Sequence, residues 1–311
     1  MKSFSPFLVF FVLFTSLASC QENEEHTTGN EDAAPHIFGP AEDLGELSDD
    51  RITEASGIAA SNKIEQALWV HNDSGNEPEL FLISSQAKIL KTFYIKGVEN
   101  RDWEDMTLGP GPIDGQTYLY LGEIGDNNTQ YDNKYIYRLL EPEVDTNAEK
   151  VDTISRIETI AFQYPEKTQN AEALLIDPLS KDIYIIAKNL ENPALYRLAY
   201  AKQSTTQTAI LEKTGLLNIE SKGPPDLITA ADISTDGLEV LVKTYGAIYY
   251  WRREDGQTSI PSLLQTKPDT LAYTPEPQGE AITFTPKGDG FYTISEKRFG
   301  IIPHLFFYPR E

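Results

Sequence analysis

A three-strand cassette that recurs five times after residue 50 limits what this chain can fold into more than any other feature. Each unit opens on an acidic or small polar residue and an apolar strand, turns into a second apolar strand ending in polar residues, and closes on a third strand rich in Tyr and Phe. The first strands read Ser56-Gly57-Ile58-Ala59, Glu104-Asp105-Met106-Thr107, Glu172-Ala173-Leu174-Leu175, Ala231-Asp232-Ile233-Ser234 and Glu280-Ala281-Ile282-Thr283. Their matching apolar positions, 58, 106, 174, 233 and 282, lie 48, 68, 59 and 49 residues apart. Second strands such as Leu68-Trp69-Val70-His71-Asn72 and Ile183-Tyr184-Ile185-Ile186-Ala187-Lys188 follow, then third strands such as Tyr135-Ile136-Tyr137-Arg138 and Leu305-Phe306-Phe307-Tyr308.

Short strands without helical periodicity indicate an all-β protein. A period near 40 to 50 with several strands per unit indicates a β-propeller, whose blades need their neighbours to bury their faces. Five blades are expected over residues 51–311, or six if Ile157-Glu158-Thr159-Ile160-Ala161-Phe162 opens another. A β-sandwich also uses short strands, but it does not require a repeating cassette. The last unit stops at its third strand, so an N-terminal strand from around residues 36–47 is expected to complete it and close the ring.

In a propeller the first strand of each blade lines the central channel, and polar residues at its start gather at one mouth. The set gathered here is Glu54, Asp102, Glu104, Asp105, Glu172, Asp232 and Glu280, joined by the strand-end groups Asn72, Asp73, Glu123, Asp126, Lys188, Lys243 and Glu296. Converging carboxylates suit calcium, a hard cation that takes six to eight oxygens. The expected metal ligands are Glu54, Asp73, Asp102, Glu104, Asp105, Glu123, Asp126, Glu172, Glu280 and Glu296. Asp, Asn and Gly also serve simply as turn formers. That explanation is weakest for Trp103-Glu104-Asp105, where a bulky ring and paired acids precede a core strand.

Lys188 and Lys243 end two second strands at matching places. They either neutralise the acidic ring or steady an anionic ligand. If the site is catalytic, Glu104 or Glu280 would act as base and the two lysines would hold the anion. His71 is read as a structural hydrogen-bonding residue. No nucleophile elbow, phosphate loop, dinucleotide fingerprint or His-Glu-x-x-His motif occurs.

The formal net charge of −22 repels phosphate backbones and argues against a nucleic-acid partner. The single cysteine, Cys20, rules out an intrachain disulfide, and with no thiolate cluster a zinc ribbon is excluded. Lys2 precedes an apolar run from Phe7 to Phe14, too short for a membrane span and laid out like a secretory signal. Leu17-Ala18-Ser19-Cys20 resembles the lipobox of bacterial lipoproteins, which implies cleavage of residues 1–19 and acylation of Cys20. Residues 20–50, acidic and poor in large apolar groups, read as a flexible tether. The expected location is the bacterial cell envelope, anchored by lipid to the outer membrane on its periplasmic or surface face.

Three sets of residues carry a further likeness: Ser56-Gly57-Ile58-Ala59 with Trp69-Val70-His71-Asn72-Asp73-Ser74, Asp102-Trp103-Glu104-Asp105-Met106, and Gly279-Glu280-Ala281-Ile282 with Ile294-Ser295-Glu296. Over about residues 50–311 they resemble a largely uncharacterised group of exported bacterial propellers and, more loosely, the esterase-like phytase and SdiA-regulated propellers. The phytase likeness implies bound calcium and phosphomonoester hydrolysis. Two functions stay open: a propeller lipoprotein that binds a small anionic ligand or a protein partner at a calcium-loaded acidic mouth, and a calcium-dependent phosphoesterase or lactonase-like hydrolase.

Overall fold

The computed structural model describes residues 37–145, 149–189, 193–220 and 222–311. The proposed signal peptide, Cys20 and most of the proposed tether lie outside the described residues. Among those described, the strands form five sheets. Blade 1 runs from its inner strand outward as Ala55–Ala60, Ala67–Asn72, Glu79–Ser84 and Ile89–Ile95, and blade 2 as Trp103–Pro110, Thr117–Glu123, Lys134–Leu140 and Glu158–Gln163. Blade 3 is Ala171–Ile176, Ile183–Ala187, Ala194–Leu198 and Glu212–Leu216, and blade 4 is Ile228–Ile233, Glu239–Thr244, Ile248–Arg252 and Asp269–Thr270. Blade 5 is Gly279–Phe284, Gly290–Ser295 and His304–Pro309, completed by Glu42–Glu46 from the N-terminal side.

Each inner strand packs against the inner strand of the next blade, and the fifth packs against the first, so the ring is closed. The apolar core is correspondingly divided into five clusters, one between each pair of successive blades. Tyr and Phe of the third strands fill these clusters, which is why that strand is aromatic in every repeat. The closing strand pairs antiparallel with His304–Pro309, and Phe38 just before it packs on Tyr250 and Phe291. The ordered propeller therefore begins by residue 37, inside the stretch read as tether.

Residues 157–162 do not start a sixth blade. Residues 158–162 fall in the fourth strand of blade 2, antiparallel to Lys134–Leu140, and Ile157 lies just before it. The long interval between blades 2 and 3 is filled by that strand and by Val151–Ile154, which adds parallel to the outer edge of blade 1. Ala209–Ile210 adds to blade 2 in the same way. Both additions cover an outer strand edge that would otherwise present unpaired backbone groups.

Candidate functional site: an acidic channel mouth

Every blade carries a register shift between its first two strands at the same end of the channel, at Ala55/Gly57, Trp103/Met106, Ala171/Ala173, Ile228/Ala230 and Gly279/Ala281. Such bulges re-aim side chains. The residues they skip are Ser56, Glu104 with Asp105, Glu172, Thr229 and Glu280. Registering the blades on the bulge places two further positions beside it: the residue before the inner strand (Glu54, Asp102, Asn170, Leu227, Gln278) and the residue after the paired end of the second strand (Asp73, Ile124, Lys188, Tyr245, Glu296). Together these three rings form the mouth.

The same register corrects two assignments in blade 4. The residue equivalent to Ile58 is Ala231, not Ile233, so Asp232 sits below the mouth. There it accepts bonds from Thr107 Oγ1 (2.9 Å), Thr283 Oγ1 (3.1 Å) and the Phe284 N–H (2.8 Å). The partner of Lys188 by position is Tyr245, and Lys243 lies two residues earlier, fully buried. Lys243 donates to the Gly279 carbonyl (3.0 Å) and Tyr273 Oη (2.9 Å) and pairs with buried Glu276 at 3.5 Å. Its bonds are thus to groups of the fold below the mouth.

Three of the expected metal ligands also belong elsewhere. Asp105 is fully buried and accepts the backbone N–H groups of Met106 (2.8 Å), Leu174 (2.9 Å) and Ala231 (3.2 Å), joining three inner strands. Glu123 accepts the N–H groups of Arg101 (3.0 Å) and Asp102 (2.8 Å) and so holds the loop that presents Asp102. Asp126 pairs with buried Lys134 at 3.1 Å and takes the N–H groups of Gln130 and Tyr131, each at 2.9 Å. Glu54 lies on the exposed outer rim, bonded to Asn76 Nδ2 at 2.7 Å. His71 is buried edge-on to Trp103, and burial pulls its imidazole down to about 4, so it is neutral and structural as expected.

What remains is one connected arc. Asp73, Asp102 and Glu104, from blades 1 and 2, have carboxylate oxygens within 4.8 Å of one another. Asn100, absent from the sequence-based set, joins their loops by donating to the carbonyls of Asn72 (3.0 Å) and Asp73 (2.8 Å) while accepting from the Trp103 N–H (3.1 Å). The Glu172 carboxylate, next along the arc, adds to burial in raising Glu104. Glu172 meets Lys188 at 2.9 Å, Lys188 donates to Tyr245 Oη at 3.1 Å, and Tyr245 donates to Glu280 Oε1 at 2.9 Å. Gln278 closes the arc by donating to Glu280 (2.9 Å) and Glu296 (2.6 Å). Tyr245 and Gln278 were legible only as positions in the repeat, because neither is an acid or a strand-forming residue of the cassette.

Leaving out Asp105, which is turned into the core, seven carboxylates of the three rings share the mouth with one lysine among the described residues. Burial and then the surrounding acids push Asp73 up to about 7 and Glu296 up to about 8. The same two causes raise Asp102 and Glu280, and hold Glu104 well above the usual range. Carboxyls in this state need protons or a cation. Gly125 contributes shape: a Cβ there would lie 2.2 Å from Glu104 Oε1 and 2.6 Å from Asp102 Oδ2. Only glycine lets the backbone of this loop come so close to the two acids.

The fold and site together define a closed five-bladed β-propeller with an acidic mouth. No family model and no curated protein matches the chain. Among solved structures it is similar to XC5397 of Xanthomonas campestris, described as a gluconolactonase, at 13% identity over 88% of this chain and 97% of that one (TM-score 0.46). It is also similar to the WD40 repeats of RRP9, at 13% identity over 82% and 79% of the two chains (TM-score 0.41). A chain in a nidogen/laminin complex is similar at 11% identity over 78% and 73% (TM-score 0.41). These likenesses concern strand arrangement, and nothing about the chemistry of the mouth is taken from them.

Proposed function

We propose that this protein is a ligand-binding propeller of the cell envelope whose mouth holds a calcium ion through Asp73, Asp102 and Glu104. The observation that carries the reading is the approach of three under-neutralised carboxylates to within 4.8 Å, beside a glycine whose missing side chain leaves the space open. All the donors are oxygen, the choice of a hard cation, and they come from two loops and a strand bulge of two blades, which tolerates the irregular coordination of calcium better than the strict octahedron of magnesium. When bound, the ion would supply positive charge and open positions for oxygen atoms of a ligand. Lys188, already paired with Glu172, is left as the one cation facing that ligand.

Titration calorimetry of chelator-stripped protein tests this reading. One calcium site is expected, with magnesium binding more weakly. Absence of calcium binding overturns it. A metal-assisted ester hydrolase is the second reading, favoured by the buried Glu280 carboxylate, whose Oε2 is without a partner among the described residues and could act as base. Turnover of p-nitrophenyl esters, p-nitrophenyl phosphate or lactones that vanishes on metal removal would place it first.

Anchoring through acylated Cys20 belongs to the same proposal. It is supported by the apolar run and Leu17-Ala18-Ser19-Cys20. Cys20→Ser should move the protein from the membrane fraction to the soluble fraction with its thermal midpoint unchanged. Retention of an acylated variant in the membrane would place the anchor elsewhere.

A further inference from the structure

In blade 5, which adjoins blade 1 in the closed ring, Glu280 is 4% exposed, and its Oε2 is without a hydrogen-bond partner among the described residues. An orphaned carboxylate oxygen in a buried setting is costly unless a donor reaches it. Its other oxygen, Oε1, takes both Tyr245 Oη and Gln278 Nε2. Gln278 Nε2 donates to both Glu280 and Glu296, which ties Glu280 into the ring of residues at the mouth. The side chains bonded to it, Tyr245 and Gln278, are only half-buried, so this side of the mouth reaches the surface.

Lys188 stands beside this acceptor. Its Nζ bonds the same Tyr245 hydroxyl that bonds Glu280, and with Glu172 as its other partner one of its three N–H donors is left over among the described residues. A free acceptor and a free donor are therefore held on either side of one tyrosine hydroxyl. A bare cation placed there meets Lys188. A phosphate meets Glu280, Glu172 and Glu296. A hydroxyl group suits both neighbours, because it donates to Glu280 Oε2 while accepting from Lys188 Nζ.

We propose that the Lys188–Tyr245–Glu280 side of the mouth is a hydroxyl-recognition subsite, and that the protein's ligand is a polyhydroxylated small molecule with one oxygen on the metal and a second hydroxyl between Lys188 and Glu280. This rests on the metal-site reading above and goes beyond it by naming the ligand class. It also replaces the anionic ligand expected from a lysine pair, since Lys243 is not at the mouth and Lys188 is matched by Glu172.

The test uses D-glucuronate as probe, a carboxylate with a run of hydroxyls, on the calcium-loaded propeller. Glutarate, which has carboxylates and no hydroxyl, inorganic phosphate and putrescine are the comparison arms. Glucuronate is expected to bind at least tenfold more tightly than each of the others. In Glu280→Gln the loss of glucuronate affinity should exceed any loss of calcium affinity at least tenfold, with folding checked by thermal melting. Equal binding of glutarate, phosphate or putrescine by the wild type, or no glucuronate binding with calcium still bound, overturns the hydroxyl subsite alone. No calcium binding by the wild type overturns the metal reading and this inference with it. The comparison arms need only wild-type protein, so poor folding of the variant leaves a decisive result.

Discussion

Glu104 and Asp105 are adjacent in the chain and buried in the same channel, yet they do opposite work. Asp105, with Asp232 near it, lies below the mouth and receives N–H and hydroxyl donors from several inner strands. Glu104, lifted by the bulge, is surrounded by further carboxylates instead. Both are pushed up by burial, but backbone N–H groups partly offset that for Asp105, while further acids compound it for Glu104. The difference teaches that depth alone does not decide the role of a channel carboxylate. What decides it is whether fixed donors from the backbone complete its shell. A completed shell fastens strands together, and an incomplete one leaves a place for a cation or ligand.

The sharpest way to break this contrast is Asp105→Ala. It orphans three buried N–H groups on three strands, and at about 1–3 kcal/mol for each unsatisfied group, with incomplete additivity, a loss of about 3–5 kcal/mol is expected in urea unfolding. The loss should be the same with and without calcium. A change below about 1 kcal/mol would show that Asp105 does not fasten the ring.

The double substitution Asp73→Asn with Asp102→Asn should behave in the opposite sense. Calcium affinity is expected to fall at least about 100-fold, equivalent to about 2.7 kcal/mol. The metal-free protein should melt a few degrees higher, because mutual repulsion of the acids is relieved. A lower metal-free midpoint would mean that these acids are structural after all. Gly125→Ala sharpens the point without touching an acid, since its Cβ must displace Glu104 and Asp102. A fall in calcium affinity of about tenfold is expected, or about 1.4 kcal/mol, with a nearly unchanged metal-free midpoint.

The pH dependence gives the smallest effect. Asp73 at about 7 and Glu296 at about 8 lie above their unfolded values near 4, so the folded state holds more protons between these limits. Their contribution to stability is complete below about pH 4 and is lost as pH rises through 7 to 8. Asp232, at about 6, loses its share earlier. The metal-free melting temperature should therefore fall by a few degrees between pH 5 and 9, and calcium should remove the share of its ligand Asp73, which lies below about pH 7. A midpoint that rises with pH over this range would reverse the assigned direction.

Much of the fold was legible because a propeller repeats its burial pattern. Strands such as Ala67–Asn72 and Ile183–Ala187 stand out by apolar runs alone, and the missing outer strand of blade 5 pointed to an N-terminal partner. The run Ile157-Glu158-Thr159-Ile160 was harder to place. Its residue pattern suits the opening of a new blade and the outer strand Glu158–Gln163 of an existing one equally well, and only its pairing with Lys134–Leu140 separates the two.

The sequence by itself determined the all-β class, the repeat, the closing strand and the acidic character of the channel, because alternation, aromatic third strands and net charge are local properties of the chain. Only the tertiary structure decided which acids meet. Glu104 and Asp105, or Lys188 and Lys243, cannot be separated by composition or by spacing that is uncertain by one or two residues, since a shift of one residue along a strand turns a side chain to the other face. The bulge in each blade sets that register, and the register places Asp73, Asp102 and Glu104 in one cluster, Tyr245 beside Lys188, and Lys243 in the core. The physical reason is that a site built from five blades depends on how strands separated by tens of residues are aligned against one another. That alignment is fixed by backbone pairing and by packing between blades.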